Sequence, residues 1–168
     1  MGFVSVIMGS KSDYEIMRQC LAVLESFSVS YEVVISSAHR SPDRTKLYVK
    51  EAESKGAQVF ICAAGMAAHL AGAVCAQTTK PVIGVPLSGG VLDGLDALLS
   101  TAQMPGGMPV ACMAVGKAGA VNAAYLAMQI LALANTDLAE KLLADRAVKI
   151  EQIEKDSKSI EVRLPSRG

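Results

Sequence analysis

The sequence has no tryptophan, and aromatic residues make up only 4% of its 168 positions. The interior must therefore be filled by Ala, Val, Leu, Ile and Met, and the aromatic walls that suit a flavin are missing. The formal net charge is zero, so the basic footprint of a nucleic-acid-binding chain is absent. Among four cysteines (Cys20, Cys62, Cys75 and Cys112) there is no CxxC pair. Three of them lie in apolar runs, where cysteine behaves as a small hydrophobe. That pattern fits a reducing cytoplasm. The apolar stretches are broken by Gly, Pro or charge before they reach membrane-spanning length. The amino end opens directly on a strand pattern rather than a leader. HExxH, clustered Cys and His, GxSxG, the P-loop and the dinucleotide fingerprint are all lacking, which leaves no sequence signal for a metal site, a nucleophile elbow or those phosphate cradles.

What is present is an alternation. Apolar residues make up 51% of the chain, and this length buries ~70% of the unfolded surface as one domain. Strands are expected at Phe3 to Met8, which reads as buried on both sides, and at Tyr31 to Ile35, Gln58 to Ala63, Pro81 to Val85 and Pro109 to Ala114. Helices are expected at Tyr14 to Phe27, Pro42 to Lys55, a short Ala-rich stretch to about Gln77, Leu95 to Gln103 and Ala120 to Ala134. Ser12 and Glu15 read as a capping box, Ser41 as a cap before Pro42, and Gly56 as a C-cap. Strands alternating with helices give right-handed crossovers and a parallel sheet covered on both faces. The expected architecture is a flavodoxin-like three-layer α/β/α sandwich, with a five-stranded parallel sheet and an extra amphipathic C-terminal helix after Asn135-Thr136. Residues 1–160 form a single domain in this reading, and 161–168 a tail that frays.

In such a sheet, ligands bind beyond the carboxyl ends of the strands. There the stretch Ser36-Ser37-Ala38-His39-Arg40-Ser41-Pro42 presents a proton carrier beside an anion holder. The alternative is a merely solvated polar loop. Gly9-Ser10-Lys11-Ser12-Asp13 combines a close backbone approach, two hydroxyls and an acceptor suited to ribose; it reads equally as plain capping. The chain's two histidines, His39 and His69, both follow an alanine just after an expected strand. Small residues around His69 leave a tight hollow or allow close packing. Two glycine-rich loops, Ser88 to Gly94 and Gln103 to Gly107, are expected to close the same sheet edge. Lys117, in Gly116-Lys117-Ala118-Gly119, can meet an anion, remain solvated or contact another subunit.

Together these motifs closely resemble the 5-(carboxyamino)imidazole ribonucleotide mutase family of purine biosynthesis. The matching pieces are Met8 to Asp13, Ser37 to Asp43, Ala67 to Leu70, Pro81 to Pro86, Gln103 to Pro105 and Gly116 to Ala120. The resemblance implies a cofactor-free cytoplasmic isomerase that moves a carboxyl group from the exocyclic nitrogen to ring carbon four of an aminoimidazole ribonucleotide. It implies His39 as the acid/base catalyst. It implies that Ser10, Ser12, Asp13 and Arg40 bind the ribonucleotide, with Ser37 near the phosphate. Gly65, Ala67, Ala68, His69 and Leu70 would line the imidazole and carboxylate end. It further implies a homo-octamer with sites between subunits, acting on a small molecule and on neither nucleic acid nor membrane. Met66 and Ala71 stand where the family often has glycine and proline. A sister class that carboxylates the unsubstituted ribonucleotide directly tends to carry lysine in place of Arg40 and lacks the His69 motif. A non-catalytic nucleotide-binding module is the third reading.

Overall fold

A computed structural model describes residues 2–162. The chain divides into two compact units, one running to Leu131 and one starting at Ala132. The first holds a parallel sheet of β1 (Phe3–Met8), β2 (Tyr31–Ile35), β3 (Ala57–Gly65), β4 (Val82–Leu87) and β5 (Ala111–Cys112) in the order β2-β1-β3-β4-β5. This is the doubly wound, flavodoxin-like order, and it reverses direction at β1 and β3. A short 3₁₀ turn (Lys11–Asp13) leads into α1 (Tyr14–Ser26), followed by α2 (Pro42–Lys55), α3 (Leu70–Cys75), α4 (Leu95–Ala102) and α5 (Lys117–Ala132).

The central strands are apolar on both sides because helices cover both faces. Phe3 and Ile7 of β1, Phe60 and Cys62 of β3 and Val82 of β4 join Val49 and Ala52 of α2 and Leu70, Ala71 and Val74 of α3 in one cluster. By the pleat, Val4, Val6 and Met8 point the other way. That face takes the buried residues of α1 (Met17, Leu21 and Leu24) and of α5 (Ala120, Ala123, Ala127 and Met128). Phe27 meets Tyr125 edge-on there, with ring centroids 5.9 Å apart. Alanine dominates α5, so that helix lies close to its neighbours. Gly84 of β4 works similarly, because a Cβ there would collide with Thr101 of α4.

Several expectations are corrected. The capping box is made by Ser10 and Asp13 rather than Ser12 and Glu15. The chain tightens through the 3₁₀ turn first, which moves the cap two residues upstream. Ser41 precedes α2 but does not cap it, because its hydroxyl donates to the Ser37 carbonyl (3.1 Å) and accepts from the Ser37 amide (3.1 Å). Gly56 does close α2, at φ 101°. β3 and β4 each run two residues further than expected, through the pairs Ala64–Pro86 and Gly65–Leu87. β5 is only two residues long.

In the second unit, α6 (Thr136–Ile160) is capped by Asn135, whose Oδ1 accepts the Leu138 amide at 3.1 Å. Leu138 is buried, while Leu143, Ile150 and Ile153 are exposed. The tail from residue 163 lies outside the described residues.

Candidate functional site

Strand order decides what meets at the carboxyl edge. β2 and β3 flank β1, so the loops that follow them converge over its end. His39 comes from the β2 loop and His69 from the β3 loop, and their ring centroids lie 5.9 Å apart at 58°. A cavity of about 550 Å³ opens at this switch point. Its lining includes Ser10, Ser12, Asp13, Ser37, His39, Arg40, Gly65, Ala67, His69 and Leu70. Ten of the eleven residues expected of the site thus surround one hollow. The eleventh, Ala68, is buried off the cavity surface, where its amide donates to the Met66 carbonyl at 2.8 Å.

The β2 loop is shaped by serines. Ser36 Oγ and Thr45 Oγ1 are hydrogen-bonded at 2.8 Å in the interior, and Ser37 Oγ accepts the Arg40 amide at 3.2 Å. These bonds anchor the base of the loop and leave His39 and Arg40 exposed at its tip. Arg40 Nη2 donates across the crevice to the Gly9 carbonyl at 3.2 Å. Its remaining guanidinium donors are available to an anion. An adjoining hollow of about 490 Å³ shares Gly9, Ser10, Ser37 and Arg40 with the first. One end of the groove is therefore polar and cationic, and the other is walled by Ala, Gly and two imidazoles.

Asp13 serves the turn and faces the cavity. Its Oδ2 accepts the Ser10 amide at 2.9 Å, and Ser12 Oγ donates to its Oδ1 at 3.5 Å. Burial pushes its carboxyl above the usual carboxylate range, against these bonds and the nearby Arg40 charge, which pull it down.

Gly9, Ala38, Ala64, Met66, Ser88 and Gly89 also line the cavity. They lie in the stretches the sequence marks out as candidates, although no individual contact with a ligand is expected of them. Gly9 and Ser88 immediately follow β1 and β4, which is what brings them to the carboxyl edge. The loop of Gln103 to Gly107 is a correction. It runs from a helix into a strand, so it falls at the sheet's amino edge. There Gly107 lines a different hollow of about 960 Å³ together with Lys80, Pro81 and Pro109. Lys117 follows β5 on the carboxyl side, yet it is not part of the cavity lining. Among the described residues, no three His, Cys, Asp or Glu side chains converge as a metal ligand set, and no helix is long and apolar enough to cross a membrane.

The sequence profile of the family described as AIR carboxylase matches residues 3–152. The chain belongs to the AIR carboxylase family. Within it, an N5-carboxyaminoimidazole ribonucleotide mutase of Bacillus subtilis is 52% identical over 139 residues, which cover 83% of this chain and 86% of the relative. The protein of the same name from Escherichia coli is 44% identical over 150 residues, covering 89% of each. A crystal structure of Treponema denticola PurE superimposes with a TM-score of 0.88 at 25% identity, covering 96% of this chain and all of that one.

Proposed function

We propose that the chain is the isomerase of de novo purine biosynthesis that converts 5-carboxyaminoimidazole ribonucleotide to 4-carboxy-5-aminoimidazole ribonucleotide. The relatives at 44–52% identity carry the mutase name. The structural observation behind the reading is the imidazole pair facing a small-residue hollow that ends in Arg40 and Asp13. In this reading Arg40, with Ser37 beside it, takes the phosphate, because guanidinium and hydroxyl donors match its oxygens. Ser10, Ser12 and Asp13 hold the ribose side. Gly65, Ala67, His69 and Leu70 bracket the imidazole and carboxylate end, with Ala68 supporting them from behind. Residues 1–160 act as one catalytic domain, assembled into a cytoplasmic homo-octamer with sites between subunits. The exposed apolar residues of α6 support assembly.

The chemistry follows from the placement. The carbamate C–N bond breaks, the nitrogen keeps the electron pair and takes a proton, and carbon dioxide is freed. Ring carbon four attacks that carbon dioxide, a C–C bond forms, and the ring carbon gives up its proton. One group that lends a proton and then takes one back balances the sequence, and His39 is assigned that part. The apolar end of the hollow keeps water from the freed carbon dioxide, and close confinement supplies proximity.

A second reading, direct carboxylation of the unsubstituted ribonucleotide, is favoured by the family's description as carboxylases. Arg40 and the His69 motif favour the mutase. The test of the site is His39→Asn. It is expected to keep fold, assembly and most binding, and to lose at least ~10²-fold in turnover. His69→Asn is expected to lose less, because that ring lines and orients. Near-normal turnover of His39→Asn, or a dead His69→Asn beside an active His39→Asn, contradicts the assignment.

A further inference from the structure

The loop from β2 to α2 carries His39 and Arg40 on very little backbone. Ser36 is its last fixed point on the strand side. The Ser36 amide donates to the Met8 carbonyl of β1 at 2.9 Å, and its hydroxyl pairs with that of Thr45 in the interior. On the helix side, the Ser41 carbonyl accepts the amide and the hydroxyl of Thr45, at 3.1 and 3.2 Å. Between these points Ser41 is tied back to Ser37 three times. Its amide and its hydroxyl both donate to the Ser37 carbonyl, at 2.8 and 3.1 Å, and its Oγ accepts the Ser37 amide at 3.1 Å. Two of the three bonds pass through one oxygen atom. Only Ala38, His39 and Arg40 lie between the two serines. The single hydroxyl hydrogen of Ser41 is committed to the Ser37 carbonyl, so it is not free for a bound anion. Nor does the hydroxyl cap α2. It serves the loop.

His39 and Arg40 depend on this closure to different degrees. The Arg40 guanidinium has a second anchor, because Nη2 reaches the Gly9 carbonyl at 3.2 Å. Among the described residues the exposed His39 ring makes no hydrogen bond; it faces the His69 ring at 5.9 Å between centroids. The loop backbone therefore sets where His39 stands.

We propose that the Ser41 hydroxyl is a latch that holds His39 within reach of the reacting atoms, which makes Ser41 a positioning residue that does not itself touch substrate. This rests on the mutase reading above. A proton carrier works only within hydrogen-bond reach of the atom it serves. Without the Ser41 hydroxyl, the Ser37 amide loses its partner, and one bond rather than three spans the loop. The pairing of β2 with β1 and the first turn of α2 do not pass through Ser41 Oγ, so the fold stays and the loop loosens.

The experiment compares full-length wild type, Ser41→Ala and Ser41→Thr, with 5-carboxyaminoimidazole ribonucleotide as substrate and the 4-carboxy product as readout. Alanine removes the hydroxyl and threonine keeps it. Ser41→Ala is expected to lower kcat roughly ten-fold, inside the ~10² that a misplacement of about 1 Å can cost. KM is expected to change little, because Arg40 keeps its anchor on Gly9. Ser41→Thr is expected to turn over near the wild-type rate. A wild-type kcat in Ser41→Ala overturns the proposal, as does an equal loss in both variants. A raised KM at unchanged kcat also overturns it, and makes Ser41 a binding group. So does a Ser41→Ala chain that fails to fold beside a folded Ser41→Thr, since the hydroxyl then serves the fold rather than the site. Wild-type turnover in the same series reports separately on the mutase reading. Independently of turnover, the His39 Cε1–H magnetic resonance signal, assigned by its loss in His39→Asn, is expected to shift in Ser41→Ala and to return in Ser41→Thr. A His39 signal unmoved in Ser41→Ala overturns the latch.

Discussion

Arg40 and Asp13 sit at the same end of the groove but answer to different physics. Arg40 spends one donor on the Gly9 carbonyl and keeps the rest for a ligand. Arg40→Ala is expected to weaken ribonucleotide binding by ~1.5–3 kcal/mol, the range for a lost charged hydrogen bond, while leaving the fold intact. Unchanged affinity in titration calorimetry removes Arg40 from the site. Asp13 has its carboxyl raised in the folded chain, chiefly by burial. Ionising it therefore costs more in the folded state than in the unfolded one, a penalty present in full at neutral pH and absent below the unfolded value of 3.8. Asn keeps an oxygen for the Ser10 amide. Asp13→Asn is thus expected to match or exceed wild-type stability at pH 7, with the difference shrinking as pH falls towards 4. Denaturant melts at both pH values check this, and an advantage that grows in acid contradicts it. Cys20 is wholly buried, which pushes its thiol up to about 12, and Cys62 is shifted upwards in the same way. Both are expected to stay silent to thiol reagents at pH 8 until the chain unfolds, and rapid labelling of native Cys20 contradicts the packing.

The elements were legible where one local rule decides and illegible where two compete. Pro42 and Gly56 bracket α2 as expected, since nothing else at those positions satisfies the helix ends. The Gly56→Ala variant is expected to lose ~1 kcal/mol, a conformational cost alone, because no atom lies within 4 Å of the added Cβ. Gly119→Ala is expected to lose at least ~3 kcal/mol, because its Cβ would run into the Ala114 backbone carbonyl. Thermal melts of the two variants test the order, and an equal loss contradicts it. The caps around Ser10 and Ser41 are hard to read from sequence because a neighbouring serine engages each hydroxyl: the Ser12 amide donates to Ser10 Oγ, and Ser41 Oγ is held by the Ser37 backbone. The carboxyl ends of β3 and β4 were cut short because Ala64, Gly65 and Pro86 have weak strand propensity, and pairing with each other's strand overrides it. The two histidines could be suspected of sharing a site from the sequence. Only the order β2-β1-β3, set by tertiary packing, brings loops 30 residues apart face to face.

The whole molecule leaves apolar side chains without cover. Leu143, Ile150 and Ile153 of α6 are exposed, and so are Leu95 and Leu99 of α4. A chain with that surface is expected to assemble beyond a dimer, and light scattering that returns a monomer at micromolar concentration contradicts this. The central claim, however, concerns which substrate the groove turns over. The most direct measurement gives wild-type protein either 5-carboxyaminoimidazole ribonucleotide or the unsubstituted ribonucleotide with bicarbonate, and follows the 4-carboxy product by its ultraviolet spectrum. Rapid conversion of the first, with slow or no net carboxylation of the second, is the predicted result. Efficient turnover of the second with none of the first would contradict the mutase and establish the carboxylase.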